Sequence, residues 1–245
     1  MTKTSRLIKW FLLVVLIINM NSINAQNNSN ADQSLTAAQQ SMVSIAALTA
    51  VGDLNHLKTA LNTGLDAGLT LNEIKDLLVQ LYAYCGFPRS LNGINTFMNV
   101  VEERKASGKQ DVTGKEATPI SDTVDRYERG RKTLEILTKT TQVKPAPGFG
   151  GFAPRIDAFL KEHLFADIFD SDVLTFQQRE LITISALASM TGVEPQLQAH
   201  LTFGMNTGLT VSELKQIFSL LGKNIGKKQQ EIAEAVLNEI IPRKQ

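Results

Sequence analysis

Three polar residues in one predicted helical hairpin have the chemistry of an acid–base site. Arg179 and Glu180 lie early in one helical segment, and His200 lies midway along the next. Gly192 to Pro195 marks the turn between the segments, so an antiparallel hairpin can bring Glu180 and His200 together. A carboxylate beside an imidazole fixes its tautomer and favours its protonated form. We therefore predict His200 as the catalytic general acid and Glu180 as its orienting partner.

Two further residues are candidate substrate-binding groups. The Arg179 guanidinium can hold a carboxylate through two parallel hydrogen bonds, and Tyr84 can line a pocket. Plainer interpretations stand beside these. Glu180 is also explained as a first-turn carboxylate favoured by the helix dipole, Arg179 as a solvated neighbour, His200 as a structural histidine and Tyr84 as an aromatic filler of the core.

The single cysteine, Cys85, limits the chemistry available to the chain. One thiol allows no intrachain disulfide, no CxxC redox pair and no cysteine-based zinc site. We expect no metal site and no cofactor. Beside Gly86, the cysteine is most simply a small buried apolar residue; a peroxidase that pairs Cys85 with an external thiol is the alternative.

The composition is that of an ordinary globular protein. The chain has 245 residues, 25 basic against 24 acidic, and 43% apolar residues, enough for one large or two small cores. These values exclude a collagenous, coiled-coil or fully disordered chain. A near-neutral charge without a basic run gives no electrostatic reason to expect a nucleic-acid partner.

Residues 1–25 have the order of a secretory signal peptide. Lys3, Arg6 and Lys9 precede an apolar run over 10–18, and a polar stretch ends at Ala25. The run is short for a bilayer span. We expect cleavage after Ala25, no stable membrane insertion afterwards and a periplasmic or secreted protein; an uncleaved N-terminal anchor is the alternative.

The remaining chain is predicted to be all-α. Residues 26–33 form a flexible lead-in, 34–105 a first helical repeat, 106–122 a polar linker and 123–245 a second repeat. A segment rich in proline and glycine at 144–154 is expected to be a loop. No stretch has the alternation typical of several strands.

An internal repeat supports this division. Residues 46–81 align with 186–221 without a gap, and eleven of these 36 positions are identical. In both copies a glycine ends the first and the second helix, and a capping box, Thr70 with Glu73 or Thr210 with Glu213, opens the third. We predict two tandem helical units of the same design.

These residues resemble the carboxymuconolactone decarboxylase family, which also contains alkylhydroperoxidase D. The resemblance rests on the run from Gln178 to Ala188, on Gln198-Ala-His200-Leu and on Asn206-Thr-Gly-Leu-Thr. The run from Tyr82 to Asn92, with its aromatic-Gly-Phe-Pro order, extends it to the first copy. Asp125-Arg-Tyr-Glu-Arg-Gly-Arg and Phe159-Leu-Lys-Glu-His-Leu-Phe are also similar to the entry of a family domain.

The resemblance implies an all-helical fold, homo-oligomers or fused pairs, and a site between helices that acts on a small molecule. The family's peroxidase branch uses a CxxC pair, which this chain lacks, so a peroxidase is the less favoured reading. The decarboxylase branch implies a cofactor-free lyase for a small carboxylated or lactone substrate, with His200 protonating the carbanion that loss of CO2 leaves. A non-catalytic binding or assembly protein on the same scaffold is the alternative.

The two copies differ at the candidate site. Extended in both directions, the same gap-free alignment pairs Glu180 with Gln40, His200 with Ala60 and Tyr84 with Asn224. We predict one site per chain, centred on the second copy and walled by the first. An enclosed cavity around the candidate residues would favour the lyase, and a filled core would favour the binding protein.

Overall fold

The polypeptide forms helices joined by short turns in a computed structural model that describes residues 34–120, 125–144 and 146–241. No strand occurs in these ranges, and the all-α prediction is confirmed. The expected signal peptide (1–25) and lead-in (26–33) lie outside the described residues. Within the described ranges, no helix has both the length and the apolar character that a membrane crossing requires.

Three helices form the first part of the chain. They are α1 (Ala37–Val51), α2 (Leu54–Asp66) and α3 (Leu71–Ala106). Helix α3 bends at Gly86, whose backbone (φ 81°, ψ 158°) leaves the helical region. Glycine adopts this positive φ without strain because it has no Cβ. Pro88 lies in the first turn of the second arm, where its lack of a backbone N–H costs no helical hydrogen bond. The Ser90 hydroxyl donates to the Leu78 carbonyl at 2.8 Å and so joins the two arms.

A middle group of helices follows the linker. It comprises α4 (Arg126–Thr138), the short α5 (Phe149–Phe152) and α6 (Pro154–Ala158), and a π-helical segment (Phe159–Ile168) continuous with α6. The prediction of a loop over 144–154 was wrong for α5, because one helical turn fits between Gly148 and Pro154. From Ser107 to Ile120 the linker is free of helix, whereas its first residue, Ala106, is the last residue of α3. The Val112 and Thr113 carbonyls accept hydrogen bonds from the first N–H groups of α3.

The last group repeats the order of the first. It comprises α7 (Phe176–Ser189), α8 (Glu194–Asn206), α9 (Val211–Asn224) and α10 (Lys227–Ile240). Helices α8 and α9 begin at the positions that the sequence alignment pairs with the first residues of α2 and α3, and Gly226 separates α9 from α10 as Gly86 separates the arms of α3. The predicted capping boxes at Thr70 and Thr210 are both formed. The boundaries of the two repeats and their tandem relation stay predictions.

One hydrophobic core joins the first and last groups. Helix α1 packs along α7, and buried apolar side chains from α1, α2, α3, α7, α8, α9 and α10 belong to the same cluster. A smaller cluster lies between α4 and the π-helical segment, with Leu137 and Phe169 among its members. Helix α7 is therefore enclosed on several sides, and polar residues on it must find partners inside the protein.

Candidate functional site

The hairpin of α7 and α8 carries the predicted acid–base residues. Helix α7 begins with a Thr175 capping box, and Gly192 adopts the left-handed backbone (φ 79°) that turns the chain. Pro195 fits the first turn of α8, where its missing N–H costs no hydrogen bond. A Cβ built on Gly204 would lie 2.8 Å from Ile184 Cδ1 and 3.8 Å from Glu180 Cβ, so glycine lets α8 approach α7 closely at this level.

Glu180 and His200 are in direct contact, as the hairpin prediction requires. His200 Nδ1 lies 2.7 Å from Glu180 Oε2. Glu180 is completely buried, and the His200 side chain is 9% exposed. The carboxylate accepts from Nδ1, which leaves Nε2 as the nitrogen at the exposed edge of the ring. No described residue forms a hydrogen bond with Nε2.

Two enclosed oxygens beside this pair have no hydrogen-bond partner among the described residues. They are Glu180 Oε1 and the Tyr84 hydroxyl. Burial raises the pKa of Tyr84 far above its usual range, and the negative charge of Glu180 raises it further, whereas the nearby Thr183 lowers it only in part. Tyr84 is therefore a neutral O–H donor at any physiological pH. Buried oxygens are normally paired in native proteins, so these two can accept a hydrogen bond from a bound molecule or donate one to it.

Aromatic rings from both parts of the chain surround the imidazole. Tyr84 on α3 meets His200 edge to face at 5.4 Å between ring centroids, and Phe203 on α8 does so at 5.1 Å. The first part of the chain thus contributes a wall to a pair carried by the last part. The catalytic and substrate-binding roles of these residues stay predictions.

Arg179 lies in a different environment from the one predicted. Its guanidinium is fully buried, with Nη2 2.6 Å from Asp76 Oδ2 and 2.6 Å from the Ser171 carbonyl oxygen, and Nη1 2.7 Å from Gln80 Oε1. Two of its three nitrogens are engaged within the protein, and Nε is enclosed without a partner. These contacts do not support a bidentate grip on a substrate carboxylate. They make Arg179 a bridge between α7 and α3.

Sequence reasoning missed the residues of α3 that complete this bridge. Gln80 also donates from Nε2 to the Arg179 carbonyl oxygen at 2.9 Å and to Thr183 Oγ1 at 2.9 Å. A glutamine placed between Val79 and Leu81 in an apolar stretch is the one available signal, because a polar group in a core position must be paired. Nothing in the sequence indicated that its partner lies 99 residues away.

The cysteine and the two other histidines of the chain form no hydrogen bond with Glu180 or His200. The thiol of Cys85 is half-buried and donates to the Leu81 carbonyl oxygen, and burial raises its pKa to about 11. His56 and His163 are exposed, and each contacts a carboxylate of its own helix or cap, Asp53 and Asp167. In the described ranges no three His, Cys, Asp or Glu side chains are grouped as metal ligands.

A cavity of about 520 Å³ opens at the positions of the first copy that align with the pair. We name it the α1–α2–α9 cavity, after the three helices that line it. Gln40 and Ala60 take the places of Glu180 and His200 in its wall, and Asn224 takes the place of Tyr84. The cavity is thus not lined by the predicted acid–base residues, which are packed into the core.

The model of the carboxymuconolactone decarboxylase family matches residues 21–96. Residues 21–96 are therefore similar to the carboxymuconolactone decarboxylase family. The expected resemblance is confirmed for this segment, and no curated protein matches the chain. The matched residues include Asp76, Gln80 and Tyr84, so the matched segment supplies one wall of the candidate site. Glu180 and His200 lie outside the matched segment.

Proposed function

We propose that this protein is an exported, cofactor-free lyase that acts on a small carboxylated or lactone substrate. The observation that carries the proposal is the 2.7 Å contact between the buried Glu180 carboxylate and His200 Nδ1, with Nε2 left at the exposed edge. Such a pair holds a proton donor in a fixed orientation, which general acid catalysis needs. The similarity of residues 21–96 to the carboxymuconolactone decarboxylase family also favours this class of chemistry.

The proposed reaction uses His200 as the catalytic residue and Glu180 as a positioning residue. The bond between the substrate carboxyl carbon and its neighbour breaks, CO2 leaves, and the electron pair passes into a conjugated carbonyl to give a dienolate. The protonated imidazole then gives its Nε2 proton to carbon and recovers one from water. Glu180 holds Nδ1–H throughout and offsets the charge of the imidazolium form.

Tyr84 supports the same proposal from the opposite wall. Because its pKa is raised by burial and by Glu180, it is a neutral donor that can approach a negatively charged substrate oxygen without repulsion. Its hydroxyl lies near Thr183 and has no hydrogen bond of normal geometry to give up before doing so. We assign it to stabilise the dienolate oxygen, while the aromatic faces exclude water from the reacting carbon.

A second candidate function is a binding or assembly protein without catalysis. It is favoured by the filled core at the predicted site, which is the packing expected for the binding protein: Arg179 and Glu180 are inaccessible, and Arg179 is already paired. In this case the Glu180–His200 pair stabilises the α7–α8 hairpin, and ligands bind elsewhere.

The deciding experiment is a screen of carboxylated lactones and oxo-acids with CO2 release and substrate loss as readouts. We expect His200→Asn to lower kcat by about 10²- to 10⁴-fold, the usual contribution of a positioned acid. His56→Asn is the matched control, because His56 also contacts a carboxylate at 2.7 Å but is exposed. Equal activity in the parent protein and His200→Asn, or turnover of no substrate by the parent, contradicts the lyase and leaves the binding protein.

A further inference from the structure

The α1–α2–α9 cavity exists because three ring-bearing side chains of the Glu180–His200 site are replaced by smaller ones at the positions that align with them. The alignment of the two copies places Ala60, Thr63 and Asn224 where the pair has His200, Phe203 and Tyr84. These three smaller residues all line the cavity. Loss of three rings from one wall leaves room that neighbouring helices cannot close, because they are held by the shared core. A space of this size accommodates a small organic molecule.

Several polar atoms of the cavity lining are available to hydrogen-bond a ligand. Asn224 donates from Nδ2 to Ser44 Oγ at 2.9 Å, and Gln40 donates from Nε2 to the Leu35 carbonyl oxygen at 2.8 Å. The side-chain carbonyl oxygens of both amides have no described partner. The Thr59 hydroxyl also lines the cavity without one. Hydroxyl groups of a ligand match this set of acceptors and donors.

The charge of the lining favours an anion. Lys223 lines the cavity, and its ammonium group forms no ion pair with any described residue. The other cationic candidate, His56, is already bound to Asp53 at 2.7 Å. None of the lining residues is acidic, and the Asp53 carboxylate behind His56 is paired with that imidazole, so a carboxylate entering beside Lys223 meets one unpaired positive charge.

We propose that the α1–α2–α9 cavity binds a small hydroxylated carboxylic acid. Lys223 pairs with the carboxylate, Gln40, Thr59 and Asn224 bond the hydroxyl groups, and Leu48 and Ala60 contact the carbon chain. The site is separate from the Glu180–His200 pair and does not depend on the lyase chemistry.

Calorimetric titration of the full chain with sodium gluconate tests the proposal. Sorbitol lacks the charge and hexanoate lacks the hydroxyls, so each isolates one half of the recognition. We expect gluconate to bind with a Kd near or below about 1 mM, and at least about tenfold more tightly than either analogue. Absence of gluconate binding at about 20 mM, or equal binding of sorbitol, overturns the proposal.

Substitutions in the cavity lining test whether gluconate binds there. Lys223→Met should weaken gluconate binding about tenfold or more, whereas Lys227→Met, an exposed lysine paired with Glu231, should leave it unchanged. Ala60→Phe should abolish binding by filling the cavity. If that variant does not fold by circular dichroism, the exposed Thr63→Phe replaces it, because phenylalanine already occupies the corresponding position 203.

His200→Asn separates this inference from the proposed lyase. Gluconate binding should persist in that variant whether or not a reaction is found. Loss of gluconate binding in His200→Asn, or its retention in the folded cavity-filling variant, shows that the molecule binds elsewhere and contradicts the proposal.

Discussion

The Glu180–His200 pair and the α1–α2–α9 cavity occupy positions that the gap-free sequence alignment pairs, yet the first is closed and holds a carboxylate and the second is open and lined by Lys223 with no acidic residue. On the closed side, a carboxylate and an imidazole are in contact among aromatic rings. On the open side, Gln40 and Ala60 stand in their places beside about 520 Å³ of space.

In the two proposals made for them, one helical hairpin design serves two purposes. The turn glycines, the capping boxes and the helix starts agree between the copies. Side-chain volume and charge at a few positions then decide whether the space between the helices is filled by protein or left for a ligand. One apolar core cluster holds the helices of both arrangements, and two of its members, Leu48 and Ala60, also line the cavity.

The largest expected effect concerns the bridge that holds the closed side to α3. Arg179→Ala should lower the free energy of unfolding by about 3–5 kcal/mol, because it leaves Asp76 and Gln80 without their buried partner. Urea denaturation measures the change. Arg131→Ala, which removes partly exposed ion pairs with Glu128 and Glu135, should cost less than about 1 kcal/mol. If Arg179→Ala lowers the free energy of unfolding by less than Arg131→Ala does, Arg179 does not act as a stabilising bridge.

The next effect tests the pair itself. His200→Leu should cost about 2–3 kcal/mol, since Glu180 loses its one hydrogen bond inside the core. The double variant Glu180→Met with His200→Leu should recover most of this, because no buried charge is left uncompensated. Urea unfolding of the parent protein, the two single variants His200→Leu and Glu180→Met, and the double variant gives the coupling free energy. Strictly additive losses would mean that the two side chains do not interact.

A smaller effect tests the capping boxes of α3 and α9, which are formed in the same way. Thr70→Ala and Thr210→Ala each remove a hydroxyl that accepts from the backbone N–H of a glutamate three residues later. Each should cost about 1 kcal/mol in urea unfolding. Losses that differ by more than about twofold would show that the copies are not built alike at this point.

The smallest effect comes from transferring the pair to the open side. Gln40→Glu and Ala60→His, combined, should show a favourable coupling of about 0.5 kcal/mol in a double-mutant cycle, because the cavity is open to solvent. The same double variant should lose gluconate binding. If the coupling free energy is zero and the double variant still binds gluconate, then residues 40 and 60 do not face each other as residues 180 and 200 do.

Much of the fold followed from local signals. Helix starts at residues 71 and 211 follow from capping boxes, and the stops near 68 and 208 follow from glycine. The approach of Glu180 to His200 also follows, because both lie in one hairpin 20 residues apart. Helix α5 was missed, since a segment rich in glycine and proline carries no periodicity over four residues.

The predicted role of Arg179 was not supported, for a related reason. Its partners Asp76 and Gln80 belong to α3, a helix far earlier in the chain, and no local pattern links them to α7. From the sequence, a guanidinium that grips a substrate and one that bridges two helices are the same residue type in the same helix. Only its surroundings distinguish the two roles.

The sequence by itself determined the elements: where helices begin and end, that the chain is helical, that one thiol excludes a CxxC pair, and that two copies share a pattern. These properties depend on contacts between residues a few positions apart. The tertiary structure alone decided that Arg179 is internal, that Tyr84 reaches His200 from the other part of the chain and that a cavity opens beside Ala60. Burial and empty volume depend on how distant helices pack, and packing is a property of the whole chain.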